Sequence, residues 1–152
     1  MTISAMWMHG TALAVESPEH LASNGRFGWG GDLQVQPGQS TWMHIQVPTP
    51  VLVGGVQARL LRATFLFETF GGRFDELHVF DGGSKVHEFK GLNLSGKHRA
   101  GVDSANRFDL ATPHTVFFGV GLSAHFTASI GIDSPIPPTR VIVSAAGGDF
   151  ET

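Results

Sequence analysis

The chain has 152 residues, of which 41% are hydrophobic and only 15% charged, and its formal net charge is −3. With Lys and Arg totalling 10, it lacks the concentrated cationic surface that nucleic-acid binding needs, and no basic run or basic amphipathic stretch suits a membrane surface. Cysteine is absent, which excludes disulfides, thiol nucleophiles and cysteine-ligated zinc.

The length suits one domain, 1–152, with a substantial core. The N-terminal stretch MTISAMWMHGTALAVESPEH has no cationic n-region, and no segment is long and apolar enough to span a bilayer. Together with the missing cysteine this fits a cytoplasmic protein.

Period-two patterning dominates the chain. Residues 3–9 and 11–16 read as strands, and 17–21 as a single helical turn with Ser17 as N-cap and Pro18 following it. The glycine-rich segment 24–32 reads as a loop, 33–36 as a short strand ended by Pro37-Gly38, and 41–47 as a strand ended by Pro48-Thr49-Pro50. Over 58–70, Leu61, Ala63, Phe65 and Phe67 alternate with Arg62, Thr64 and Glu68, the mark of a strand with one buried side. A hairpin over 77–89 follows, then a long polar connection over 91–110 suited to carry a binding surface.

The strongest pattern is TVFFGVGLSAHFTASIGI, residues 115–132, where every even position from Val116 to Ile132 is apolar. It predicts one long strand or two in continuous register, bent at Gly119 and Gly121. A final strand is expected over 141–145. Many strands, frequent Gly/Pro turns and almost no helix define an all-β fold: an antiparallel, jelly-roll-like β-sandwich.

In the hairpin LHVFDGGSKVHEF, a two-residue Gly82-Gly83 turn or a four-residue loop 81–84 pairs Asp81 with Ser84 and His78 with His87, whereas a three-residue loop would slip the register by one and separate the histidines. Directly opposed Cβ atoms lie about 4.5–5.5 Å apart, so both rings would reach one divalent metal, with Glu76 on the same face as a third ligand. Without such a ligand set, His78, Phe80, His87 and Phe89 form a mixed aromatic face. The His-x-His start of a cupin metal pattern is absent.

Trp42 and His44 share the strand face opposite Met43, Ile45 and Val47, and so point outward or into a cleft. Trp7 and His9 stand in the same relation on the first strand. His125 lies on the non-core side of its strand, near Gly119 and Gly121, whose lack of side chains leaves a groove. Trp42, His44 and His125 are therefore the candidate ligand-binding residues. No Gly-x-Ser-x-Gly elbow, phosphate-binding glycine loop or calcium loop occurs.

The segments AMWMHG, PTP, LHVFDG, LNLSG and AAGGDF resemble those of a small bacterial family of single-domain proteins of unknown function. The resemblance implies a free-standing domain and carries no catalytic residue or cofactor. From the residues themselves, the leading expectation is a non-catalytic binding or assembly module. Its partner would be a small molecule, a glycan or a protein, and the flat sheet faces would also suit a homo-oligomer. Two alternatives stay open: a small metal-dependent enzyme built on His78 and His87, and a cofactor-free enzyme with an apolar pocket.

Overall fold

A computed structural model of the chain describes residues 1–131 and 136–152. The first strands are β1 (Ile3–His9), β2 (Ala14–Val15), β3 (Leu21–Phe27), β4 (Gly30–Val35) and β5 (Ser40–Val47). A small hairpin of β6 (Leu52–Val53) and β7 (Val56–Gln57) precedes β8 (Arg59–Phe70), β9 (Arg73–Asp81) and β10 (Ser84–Phe89). The remaining strands are β11 (Lys97–His98), β12 (Arg107–Thr115), β13 (Val120–Thr127) and β14 (Thr139–Glu151). Single 3-10 turns occupy Gly10–Ala12 and Pro18–His20.

These strands form an antiparallel β-sandwich. One sheet runs β11-β8-β14-β4-β3, with β1 also pairing β14 and β12 also pairing β8. The other runs β10-β9-β13-β5-β2. Alternation along each strand supplies the core. Leu33, Val35, Leu60, Val141 and Val143 come from the first sheet, and Met43, Ile45, Leu77, Val79, Leu122 and Ala124 from the second. Phe74 joins the two layers, with ring centroids 5.2 Å from Phe65, 5.0 Å from Phe67 and 5.2 Å from Phe126, all close to edge-on. Such contacts add to the burial energy of the rings themselves.

Several expectations need correction. The segment 24–32 is not a loop: β3 and β4 form a hairpin across it, with Gly25 opposite Asp32 and Phe27 opposite Gly30. In β8 the chain slips between Arg62 and Leu60 against Asp149 and Phe150, so Leu60 rather than Leu61 enters the core. Among the described residues of the patterned stretch 115–132, Thr115 ends β12 and Val120–Thr127 forms β13, with 116–119 between them outside any strand. Phe118 is 78% exposed and Ile130 is also exposed, while Ile132 lies outside the described residues. The strand starts late because the N–H groups of Phe117, Phe118 and Gly119 are bound by the Asp81 carboxylate, not by a neighbouring strand. The final strand extends well beyond 145. A Cβ at Gly147 would lie 2.8 Å from the Trp7 ring, so the glycine admits that side chain against the sheet.

The hairpin turn forms as expected, with Gly82 at φ 57° and Asp81 paired with Ser84. Beyond it the register shifts. Lys85 opposes Phe80, but His87 opposes Val79 and Glu88 opposes His78, leaving Val86 as the extra residue of a β-bulge. One extra residue reverses the side that each later residue faces. His78 and His87 are therefore not a cross-strand pair, and the expected His78/His87/Glu76 ligand set does not assemble. The bulge places Phe89 opposite Leu77, with its ring 5.3 Å from that of Phe108 and 4.4 Å from that of His87.

Candidate functional site: the outer face of the five-stranded sheet

The register of β5, β13 and β9 builds this face row by row. Trp42 stands beside His125, which stands beside Glu76. The next row is His44, Ser123 and His78, and the one after is Gln46, Gly121 and Phe80. Ala14 of β2 flanks His44 at the edge. The three residues expected to bind ligand, Trp42, His44 and His125, are thus brought onto one face, joined there by His78 and Glu76. His87 lies on the other side of the sheet.

Trp42 is the centre of the arrangement. Its ring lies 4.7 Å from that of His78 and 4.9 Å from that of His125, tilted against both. Polar contacts fix the imidazoles in turn. His125 Nδ1 donates to Asp75 Oδ1 at 2.6 Å, and Thr127 Oγ1 donates to Asp75 Oδ2 at 2.7 Å. His44 Nδ1 is 2.8 Å from Ser123 Oγ, and its Nε2 is 3.3 Å from Glu16 Oε1. His78 Nε2 is 3.2 Å from Glu76 Oε2, yet it is buried and lacks a well-directed hydrogen bond. Each histidine beside the Trp42 ring thus has a carboxylate close to its free edge.

Asp75 was not legible as a site residue. Strict alternation would send it to the opposite face from Glu76. A bulge in β9, where His125 opposes Glu76 and Phe126 opposes Phe74, leaves Asp75 as the unpaired residue. Both carboxylates consequently reach the Trp42 face. Bulges depend on the partner strand, so β9's own sequence carries no signal for this one.

Two depressions open on the face. One of about 450 Å³ is lined by Ala14, His44, Gln46, Phe80, Gly121 and Ser123. Gly121 and Ser123 are its low floor, whereas Gly119 and His125, expected at the same groove, do not line it. The other, of about 330 Å³, is lined by Trp42, Asp75, Glu76, Gly91 and His125. Trp42 to Gln46 is four strand residues, or about 13 Å. Among the described residues no group of three or more His, Cys, Asp or Glu is arranged to hold a metal ion.

The other candidates lie elsewhere, apart from Gly91, which opens the polar connection 91–110 and lines the Trp42 depression. Trp7 and His9 belong to the opposite sheet. The His9 ring accepts from Thr11 N at Nδ1 and donates from Nε2 to Gly28 O at 2.9 Å, bracing a turn. Much of the polar connection 91–110 is tied to itself. Buried Asn106 donates to His98 O and Gly101 O, and Asp103 accepts from Ala105 N, Asn106 N and His98.

Over residues 1–142 the sequence matches the model of DUF6623, a family of unknown function. The chain belongs to that family. The finding agrees with the resemblance carried by AMWMHG, PTP, LHVFDG and LNLSG; AAGGDF lies beyond the matched residues. No curated protein matches this DUF6623 member. Among solved structures it is similar to a family 29 carbohydrate-binding module, a mutant made to probe ligand recognition. Identity to that module is 9%, the TM-score is 0.45, and the match covers 97% of this chain and 91% of that one. It is also similar to carbohydrate-binding module CBM36 in complex with calcium and xylotriose, at 11% identity and a TM-score of 0.39, covering 92% and 96%. No helix of the structure is long and apolar enough to cross a membrane.

Proposed function

We propose that this protein is a non-catalytic binding module whose ligand is a carbohydrate, held on the outer face of the five-stranded sheet. The observation that carries this reading is the Trp42 ring, fixed between His78 and His125 and bordered by Asp75, Glu76, His44 and Ser123. A sugar ring has an apolar C–H face and a rim of hydroxyl groups. The first suits an indole, and the second suits carboxylates, imidazoles and hydroxyls, which accept or donate as required. The site is preorganised, since His125 and Thr127 are already hydrogen-bonded to Asp75 and His44 to Ser123, so little side-chain freedom is lost on binding. Both Asp75 oxygens are engaged by His125 and Thr127, which suits a positioning role better than acid–base work. Phe80 and Gln46 continue the face along the groove, room for a short oligosaccharide and not merely one ring.

The test is calorimetric titration with soluble xylo-, cello- and manno-oligosaccharides. Trp42→Ala is expected to weaken binding at this face at least tenfold, and Gln46→Ala, at an exposed position, a few-fold, with unfolding midpoints recorded beside each. Saturable binding by the wild type that survives both substitutions unchanged would remove this face as the site.

A further inference from the structure

The opposite sheet carries an aromatic surface that the Trp42 face does not account for. Where β3 turns into β4, Phe27 and Trp29 stand out, 45% and 49% exposed. Their rings are stacked, with centroids 4.7 Å apart and planes 14° apart. Full burial of an aromatic side chain stabilises a fold by roughly 1.5–3 kcal/mol, so core formation does not explain two large rings left half in water. They are nevertheless held rigidly. Trp29 Nε1 donates to Asp32 Oδ2 at 2.9 Å, and Asp32 accepts two further bonds from Arg140, Nε at 2.9 Å and Nη2 at 2.7 Å. The Arg140 hydrogen bond lowers the Asp32 carboxyl pKa below its ordinary value, against the opposing effect of burial. Arg140 in turn lies 5.0 Å over the ring of Phe70, itself 48% exposed.

A concavity of about 400 Å³ opens here, lined by Asn24, Phe27, Trp29, Asp32, Gln34 and Arg140. Its one anion and one cation form a bidentate pair and cancel, so an anionic or cationic ligand has no net charge to recognise. What remains is a flat aromatic surface with amide, carboxylate and guanidinium groups at its rim, the complement of a neutral ring carrying hydroxyls. We propose that this concavity is a second saccharide site, so that one molecule presents two glycan-binding faces on opposite sheets. The ligand class rests on the carbohydrate reading of the Trp42 face; the residues are independent of it. Two sites back to back cannot grip one short oligosaccharide. Their joint effect is to bridge separate chains or to gain avidity on a polymer.

The experiment is calorimetric titration of wild type, Trp29→Ala, Trp42→Ala and the double variant with xylohexaose, cellohexaose and mannohexaose. Trp29 is exposed, so its replacement leaves the core intact, and Trp29→Phe serves as a conservative control expected to retain most binding. The expected stoichiometry is two per wild-type chain, one for each single variant and none for the double. One wild-type site lost in Trp42→Ala and untouched by Trp29→Ala would overturn the second site and leave the first standing. Binding that is lost in Trp29→Ala but indifferent to Trp42→Ala would sink the first site and support this one. An effect of Trp29→Ala on sedimentation but not on sugar binding would make the face a contact between copies, and absence of binding to the whole panel would overturn both sites.

Discussion

Asp81 shows how much of the fold can hang on one carboxylate. It is buried at the end of β9 and accepts hydrogen bonds from His114 Nε2 and Phe117 N, each at 2.9 Å, Phe118 N at 2.9 Å and Gly119 N at 3.0 Å. Burial would raise its pKa, but the His114 bond and the amides of Gly119, Phe117 and Phe118 outweigh that and lower it from 3.8 to about 2. A carboxyl depressed in the folded state stabilises fully above its unfolded value of 3.8, and the contribution is lost as pH falls from there through about 2. Asp81→Asn keeps the shape but turns an amide N–H₂ toward groups that donate. The expected loss is about 2–3 kcal/mol at pH 7, with a flatter dependence on pH between 5 and 2. Urea unfolding across that range checks both, and an unchanged acid limb in the variant would refute the assignment. In the sequence Asp81 reads only as a turn residue, because its partners lie more than thirty positions ahead, His114 in β12 and the three amides in the connection to β13.

Single bulges decide what each strand presents, and they mark where the sequence stops being legible. Periodicity was sufficient for β5 and β13, whose pairing runs unbroken from Ser40–Thr127 to Val47–Val120. Trp42, His44 and His125 were accordingly placed on the correct face. It failed for β9 and β10, each with one extra residue, and so missed Asp75 and wrongly paired His78 with His87. The physical reason in β10 is the ring of Phe89: without the bulge it would leave the side it shares with Leu77 and lose Phe108. If so, deleting Val86 should remove the bulge and leave His87 opposite Val79 and Glu88 opposite His78. The variant should lose only the packing of a half-buried Val, about 1 kcal/mol. Cross-strand nuclear Overhauser effects between His87 and Val79 would confirm the retained register; effects between His87 and His78 would show that it had slipped.

At the scale of the whole molecule, the last strand organises one entire sheet. β14 pairs along one side with β8, from Arg140–Phe70 to Glu151–Arg59. On its other side it pairs first with β4 and then with β1. The chain ends clasp each other, with Thr2 N donating to Thr152 O and Thr152 N to Thr2 O, both at 3.0 Å. β14 also supplies Val141, Val143, Ala146 and Phe150 to the core and Arg140 to the aromatic concavity. Until it docks, β1, β4 and β8 lack the partner that satisfies their backbone groups. Contacts so distant in sequence make for slow, cooperative assembly, on the millisecond-to-second scale typical of β-sandwiches. A chain ending at residue 138 should therefore show no cooperative urea transition and little amide dispersion. A synthetic peptide of residues 139–152 added to it should restore both, because the missing element is a complete central strand and not a covalent link. A cooperative transition in the shortened chain alone would show that the five-stranded sheet, with its Trp42 face, folds without β14.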